Sequence, residues 1–524
     1  MKNRIHTHPA RPLLRPLTLL IASLLTALPA WGESGPDSEP NPKAAPQAAQ
    51  ASKNSAQRKP PGRFWQSRPN FDAPTAAHCQ RPPRLIEVPD PSPRPPEQTR
   101  RERPVLYDAV GTLHADARSE MSAPAALSPA PPAPSVAETS PPDSGRQESI
   151  DPSMLTRRMS RPADEPVTVG MVDDNADFGA YRQYTARSRV EYSPLDVSER
   201  HLLQVRDAQG RPVPDAAITV RAEGGQAAAW LRTDSAGRAW LHPNSFDPQG
   251  SARYRVSVQQ EAASSGPGAG QPASASATLR RGQKSALEIT LPQARPPDAA
   301  RLDLLFMVDA TGSMDDEIDK LKRSLHDIVR QLAQLPSQPD LCLGLVAYRD
   351  QGDDFYVRGW DFTNDTDAFQ RVLEQLQAGG GSDMPEAMNA ALHTAVQQMS
   401  WRGPGVSRML IALADAPPHL DTDEPPYPPQ LLAAAGKGIK IFGVGASGLN
   451  AQGEFIQRQM AQYTGGRFIF LTYARAGDAQ SGPGRETVHD VQNYSVQTLD
   501  ALIVRLVRDE LAHWPDSRRA PARP

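Results

Sequence analysis

The chain has 524 residues, 54 of them proline, and a formal charge of -3 from 57 Lys and Arg against 60 Asp and Glu. So much proline excludes a chain that is packed core throughout, because proline-rich stretches bury too little apolar surface to offset their ordering entropy. The near balance of charge argues against a polyanion partner, so no nucleic acid is expected.

At the N-terminus Lys2, Arg4, Arg11 and Arg15 precede an apolar run from Leu17 to Leu28, and Ala30-Trp31-Gly32 offers small residues ahead of Glu33. That order predicts a secretory signal peptide over residues 1–32 and an extracytoplasmic mature chain, periplasmic or secreted. The run is too short to cross a bilayer, and no other stretch approaches the ~18 apolar residues that a span needs. No membrane span is therefore expected after cleavage.

Residues 33–165 are Pro-, Ala- and Ser-rich without hydrophobic period and read as a disordered tether. The aromatic island GRFWQSRPNF at Gly62 to Phe71 reads as an accidental cluster within it rather than a docking motif. Cys79 lies in this segment and Cys342 in a later apolar run. A disulfide between them would tie disordered chain to a central strand and is not expected.

Between residues 166 and 297 short alternating runs are punctuated by turn signals. Leu202 to Val205, Ala217 to Val220, Ala229 to Arg232, Ala239 to Leu241, Tyr254 to Val258 and Leu287 to Leu291 make six predicted strands, with Asp207/Gly210 and Asp234/Gly237 forming turns. This is the pattern of a small β-sandwich. The residues 264–277 read as a loose insertion, and Val169 to Tyr184 as a lead-in able to pack on the sandwich. The D-x-x-G turn, P-V-P-D-A and T-D-x-x-G-x-A resemble carboxypeptidase-regulatory-like and transthyretin-like domains, which implies a spacer without catalytic residues.

From residue 300 to 514 strands and helices alternate, the signature of a doubly wound α/β domain, with residues 515–524 a disordered tail. Leu304 to Val308 is an apolar run suited to a strand buried on both faces. It stops at Asp309, and Thr311 and Ser313 follow before an amphipathic helix carrying Ile318, Leu321, Leu325, Ile328 and Leu332. Leu341 to Tyr348 and Val357 to Phe362 lack a helix between them and are predicted as an edge hairpin. Helices are predicted over 367–377 and 385–399. Arg408 to Asp415 is another apolar strand ending in an acid, and strands at 439–445 and 467–472 and a helix around 496–507 complete the set.

Three loops are thus expected at the carboxyl edge of one sheet: Asp309, Thr311 and Ser313; Ser382 and Asp383 within GGGSDMPEA; and Asp415. Two hydroxyls with carboxylates form a hard-oxygen set suited to Mg²⁺, with Mn²⁺ or Ca²⁺ as substitutes. Asp, Ser and Thr also cap helices, and Asp383 with Pro385 and Glu386 fits a capping box as well as a ligand loop. His419 reads as a solvated loop histidine.

On these residues the domain resembles a von Willebrand factor type A domain with its metal-ion-dependent adhesion site, with a Rossmann-like fold. Asp309, Thr311 and Ser313 stand where that family has D-x-S-x-S, Ser382 or Asp383 where it has a threonine, and Asp415 where it has its late aspartate. The resemblance implies a bound divalent cation and a protein partner that contributes an acidic group to it. If Asp383 faces the ion, three carboxylates surround it and an acidic partner is attracted less.

The leading expectation is therefore an exported binding protein with no catalysis. A Mg²⁺-dependent phosphotransferase of the haloacid-dehalogenase type needs D-x-D after its first strand, and Thr311 occupies the third position here. No Walker A, G-x-S-x-G or HExxH pattern occurs. The alternative from another class is an assembly or scaffold factor whose metal is structural or idle, distinguished by partner capture that survives EDTA.

Overall fold

A computed structural model describes residues 66–71, 79, 82–91, 165–260, 272–295, 297, 299–381, 384–421 and 424–514. The expected signal peptide, most of the expected tether and the expected tail lie outside the described residues. The described residues fall within one unit, Lys59–Pro524.

In chain order, β1 (Leu85–Val88) is followed by β2 (Thr168–Val172) and α1 (Phe178–Arg187). Seven strands then form two sheets: β3 (His201–Arg206), β4 (Ala217–Ala222), β5 (Ala228–Arg232), β6 (Arg238–Leu241), β7 (Arg253–Gln260), β8 (Ala273–Arg280) and β9 (Leu287–Thr290). Their orders are β6-β3-β9 and β5-β4-β7-β8, and Leu203, Val205, Ile218, Val220, Val256 and Leu279 fill a core common to both. The six predicted strands are present. Both predicted turns form as expected, with Asp207 Oδ1 accepting from the amides of Gln209 and Arg211, and Gly210 and Gly237 at φ 76° and 71°.

Two expectations for this region are corrected. Residues 273–277 are not a loose insertion: they begin β8, which pairs along its whole length with β7, because A-S-A-S-A alternates a buried Ala273 with exposed serine. The lead-in does not pack on the sandwich. Instead β2 joins the α/β sheet beside its fifth parallel strand, and Tyr181 and Tyr184 of α1 bury themselves in that sheet's core.

The α/β part comprises β10 (Arg301–Asp309), α2 (Asp315–Ala333), β11 (Asp340–Tyr348), β12 (Val357–Thr363), α3 (Thr366–Gln375), α4 (Met388–His393), β13 (Ser407–Ala414), α5 (Tyr427–Lys437), β14 (Ile439–Gly445), α6 (Ala451–Thr464), β15 (Phe468–Thr472), β16 (Gln497–Thr498) and α7 (Leu499–Glu510). The sheet order is β1-β12-β11-β10-β13-β14-β15-β2-β16, parallel from β11 to β15. One face buries α2, α3 and α7 through Ile318, Leu325, Phe369, Leu502 and Leu506; the other buries α1, α4, α5 and α6 through Leu392, Leu431, Phe455 and Ile456. Chain order reverses between β10 and β13, the switch point where open α/β sheets leave a crevice for ligands.

Further corrections concern the edge and the N-terminal segment. β12 is not the sheet's edge, because β1 pairs with it antiparallel from Leu85↔Trp360 to Val88↔Val357. Residues 85–88 thus leave the expected tether and add a strand. That pairing brings Cys79 against the sheet, and Cys79 and Cys342 form the disulfide that was not expected. Of the aromatic island, Gly62 to Trp65 lie outside the described residues, but Gln66 and Phe71 are docked, meeting both the sandwich and α5 or β13. The helix expected from Pro385 starts at Met388 and ends in a π-helical turn, Thr394–Gln398.

Candidate metal centre

β10 and β13 are neighbours with Val308 opposite Leu413, so Asp309 and Asp415 emerge side by side from the carboxyl edge at the switch point. Asp309 and Thr311 are fully buried and Asp415 nearly so. Within the first loop, Asp309 Oδ1 accepts from Thr311 Oγ1 at 2.7 Å and from Thr311 N at 3.1 Å, and Thr311 Oγ1 lies 3.2 Å from Ser313 Oγ. Ser313 sits in a 3₁₀ turn, Gly312–Met314, that leads into α2. Three of the predicted groups and Asp415 are therefore together; Ser382 and Asp383 lie outside the described residues.

The glycine run positions the second loop against the first. Gly379 N donates to Ala310 O at 3.0 Å and Gly312 N donates to Gly380 O at 3.1 Å. Gly380 and Gly381 hold φ of 73° and 61°, where a side chain is disfavoured. A Cβ on Gly381 would stand 2.5 Å from Thr311 Cβ and 2.8 Å from Glu386 Oε1, so only glycine lets Thr311 and Glu386 share this space. Arg349 ties the loops from beneath, donating to Ala310 O and Gln377 O, each at 3.1 Å.

Glu386 is the site residue that sequence reasoning read only as a possible cap. Its backbone amide donates to Pro417 O at 3.1 Å, which fixes it beside the loop after Asp415, and its side chain is buried. Burial pushes its carboxyl up to about 9, followed by the charges of Asp309, Asp350, Asp353 and Asp415. Asp309 is pushed up to about 7, first by burial and then by Asp415. Burial also raises Asp415, against the Ser313 hydroxyl that lowers it. Tyr348, on the adjacent strand end, is raised by burial and by the charges of Asp309, Asp415 and Glu386. The one signal that could have identified Glu386 is its place three residues after Asp383, on the far side of Pro385.

Asp309 Oδ2, Asp415 Oδ1 and Glu386 Oε2 are buried and make no hydrogen bond. Each such oxygen costs about 1–3 kcal/mol or more when left without a partner. Among the described residues, no three His, Cys, Asp or Glu side chains form a metal cage by themselves. A cation here would therefore need the hydroxyls of Thr311 and Ser313, and the set of hard oxygens fits Mg²⁺ or Mn²⁺. His419 is not simply solvated: its Nε2 lies 2.9 Å from Asp350 Oδ1, and that carboxylate raises its pKa.

Residues 303–421 match the family profile described as von Willebrand factor A domain. Similar stretches occur in the alpha-protein kinase vwkA of Dictyostelium discoideum, 35% identical over 22% of this chain and 19% of that protein, and in the von Willebrand factor A domain-containing protein 7 of Mus musculus, 37% identical over 18% of this chain and 10% of that protein. Human integrin beta-4 is 26% identical over 28% of this chain and 9% of its own length. The chain thus spans no more than about a fifth of these relatives. Among solved structures, the pilus adhesin SpaC of Lactobacillus rhamnosus GG in its open conformation aligns at a TM-score of 0.25 and 12% identity, over 47% of this chain and 36% of that one. The switch-point loops thus fall within the stretch that matches the von Willebrand factor A domain profile.

Proposed function

We propose that this A-type domain holds a divalent cation at Asp309, Thr311, Ser313 and Asp415, with Glu386 beside them, and that the chain binds a protein partner at that edge. The carrying observation is that Asp309, Asp415 and Glu386 each keep a buried carboxylate oxygen without a hydrogen bond at the edge where the Thr311 and Ser313 hydroxyls lie 3.2 Å apart. When bound, Mg²⁺ supplies two positive charges and open coordination positions that can take an oxygen from a partner. The protein orients the hydroxyls through Asp309 Oδ1 and keeps the loops in place through Arg349. Nothing in this reading calls for catalysis.

The likeness to human integrin beta-4 supports a protein-binding role for the stretch that matches the A-domain profile. Export is part of the proposal: the basic and apolar N-terminal sequence supports it, and so does a disulfide, which persists in oxidising compartments. Among the described residues no helix is long and apolar enough to cross a membrane. The burial of Glu386 favours a second reading, in which the cation chiefly orders the loops of an assembly factor.

Thermal unfolding with Mg²⁺, Mn²⁺, Ca²⁺ or EDTA tests the cation. At 100 times its Kd a bound ion stabilises by about 2.7 kcal/mol, and Asp309→Ala should abolish the effect. An unchanged melting temperature with all three ions would sink the metal reading. Partner capture that persists in EDTA, with a metal-dependent melting temperature, would select the assembly reading.

A further inference from the structure

Residues 66–71, 79 and 82–91 lie against the outside of the fold, and together they are called the strap here. At one end Gln66 bridges sandwich and α/β part: its Nε2 donates to Trp230 O at 2.8 Å in β5 and to Leu432 O at 2.6 Å in α5, while its Oε1 accepts from Trp230 N at 3.1 Å. Phe71 packs under the guanidiniums of Arg232 and Arg408. Further along, Arg84 O accepts from Asp361 N at 2.8 Å, β1 pairs with β12, and Asp90 Oδ2 accepts from Gly352 N at 2.6 Å. Gly352 lies in the loop after β11, where Asp353 accepts from Gly381 N at 2.9 Å. The strap therefore touches the sandwich edge at one end and, at the other, the loop that supports the glycine run.

Besides these contacts, Arg84 pairs with Asp361 and Glu87 with Arg358, each at 3.0 Å, and Phe71, Ile86 and Val88 rest on the core half-buried. None of its described residues is fully buried, and β1 is only four residues long between Pro83 and Pro89. The bond from Cys79 to Cys342 pins its middle. Cys342 is fully buried in β11 whereas Cys79 is half-buried, so a reductant reaches the bond from the Cys79 side.

We propose that Cys79–Cys342 is a redox latch: oxidised, it holds the strap on the sandwich edge and on the Gly352 loop, and a dithiol reductant frees both. A thiolate of the dithiol attacks Cys79 Sγ, the S–S bond breaks, and Cys342 leaves as a thiolate that takes a proton. The second thiol of the reductant then displaces Cys79, which is protonated in turn. The reductant departs as a disulfide, and two electrons and two protons have passed to the chain.

Hydrogen–deuterium exchange on the whole chain tests this, comparing the oxidised chain, the chain treated with dithiothreitol, and Cys79→Ser. Three amides donate to strap oxygens and report its docking: Trp230, Asp361 and Gly352. Their exchange should rise at least ten-fold in the reduced chain and the variant, while the Leu304 to Val308 amides of β10 stay within two-fold. Unchanged exchange at the three amides, with both thiols shown free by alkylation, would overturn the latch. Loss of protection in β10 along with the three would overturn it too, since the bond would then be a staple of the whole fold. If Cys79→Ser fails to fold, the reduced wild-type chain decides by the same criteria.

Discussion

Arg408 Nη1 donates to Asp215 Oδ1 at 3.0 Å, with both side chains almost completely buried. Arg408 is the second residue of β13, and the same strand delivers Asp415 to the candidate metal centre. Arg232 reaches the same carboxylate at 2.6 Å from β5, so one aspartate binds sandwich and α/β sheet at the foot of the strand that carries a site acid.

Asp215→Asn should therefore leave two buried guanidiniums short of a counter-charge. A loss of about 3–5 kcal/mol is expected, read from urea unfolding. Burial raises the Asp215 carboxyl, but Arg232 and Arg408 outweigh it and hold it below the usual carboxylate range. A depressed folded pKa contributes stability that is complete above the unfolded value, about 3.9, and is lost as pH falls through the folded one. The acid limb of wild-type stability should be steeper than that of the variant below about pH 4.

His242 gives a pH dependence in a different window. It is buried against Tyr463 with neither ring nitrogen hydrogen-bonded, and burial, then Arg200, pushes it down to about 3. The unfolded chain binds this proton near pH 6.5 and the folded chain does not until about 3, so stability is complete above 6.5 and falls as pH drops between those values. The slope is at most about 1.4 kcal/mol per pH unit. His242→Leu should flatten it in thermal melts from pH 7 to 4.

Glu386→Gln should weaken Mn²⁺ binding by ten-fold or more, because a buried carboxylate oxygen becomes an amide group. Thr311→Ser, which keeps the hydroxyl, should bind nearly as wild type, whereas Thr311→Ala should not. Calorimetric titration of Mn²⁺ separates the three. Equal affinity in Glu386→Gln would remove Glu386 from the centre.

Gly381→Ala forces a Cβ into the space held by Thr311 and Glu386 at φ 61°. A left-handed alanine alone costs about 1–2 kcal/mol. Displacing Thr311 should additionally abolish the cation-dependent rise in melting temperature, while the sandwich retains its amide protection.

The central α/β strands and the loop after β10 are legible because each rests on a strong local signal. Leu304 to Val308 and Met409 to Leu413 are continuous apolar runs that stop at acids, a pattern with few other readings. The strap was not legible. L-I-E-V is four residues among prolines, and only the unpaired edge of β12, over 250 residues away, makes a strand of it. The Cys79–Cys342 bond is illegible for the same reason, since it presupposes that pairing. Glu386 was read as a capping residue because its local sequence fits that role; the acids that surround it come from β10, β13 and the loop after β11. T-V-G-M-V at β2 stands nearer the sandwich in sequence, yet it pairs into a sheet whose parallel strands begin more than a hundred residues later.

The large sheet ends laterally in a four-residue strand, β1, and at the opposite margin in a two-residue one, β16. Stubs of this length give an incoming chain almost no ladder to extend, and prolines at positions 83 and 89 take donors away from one of them. At its two margins this sheet therefore offers another copy of the chain little to zip onto.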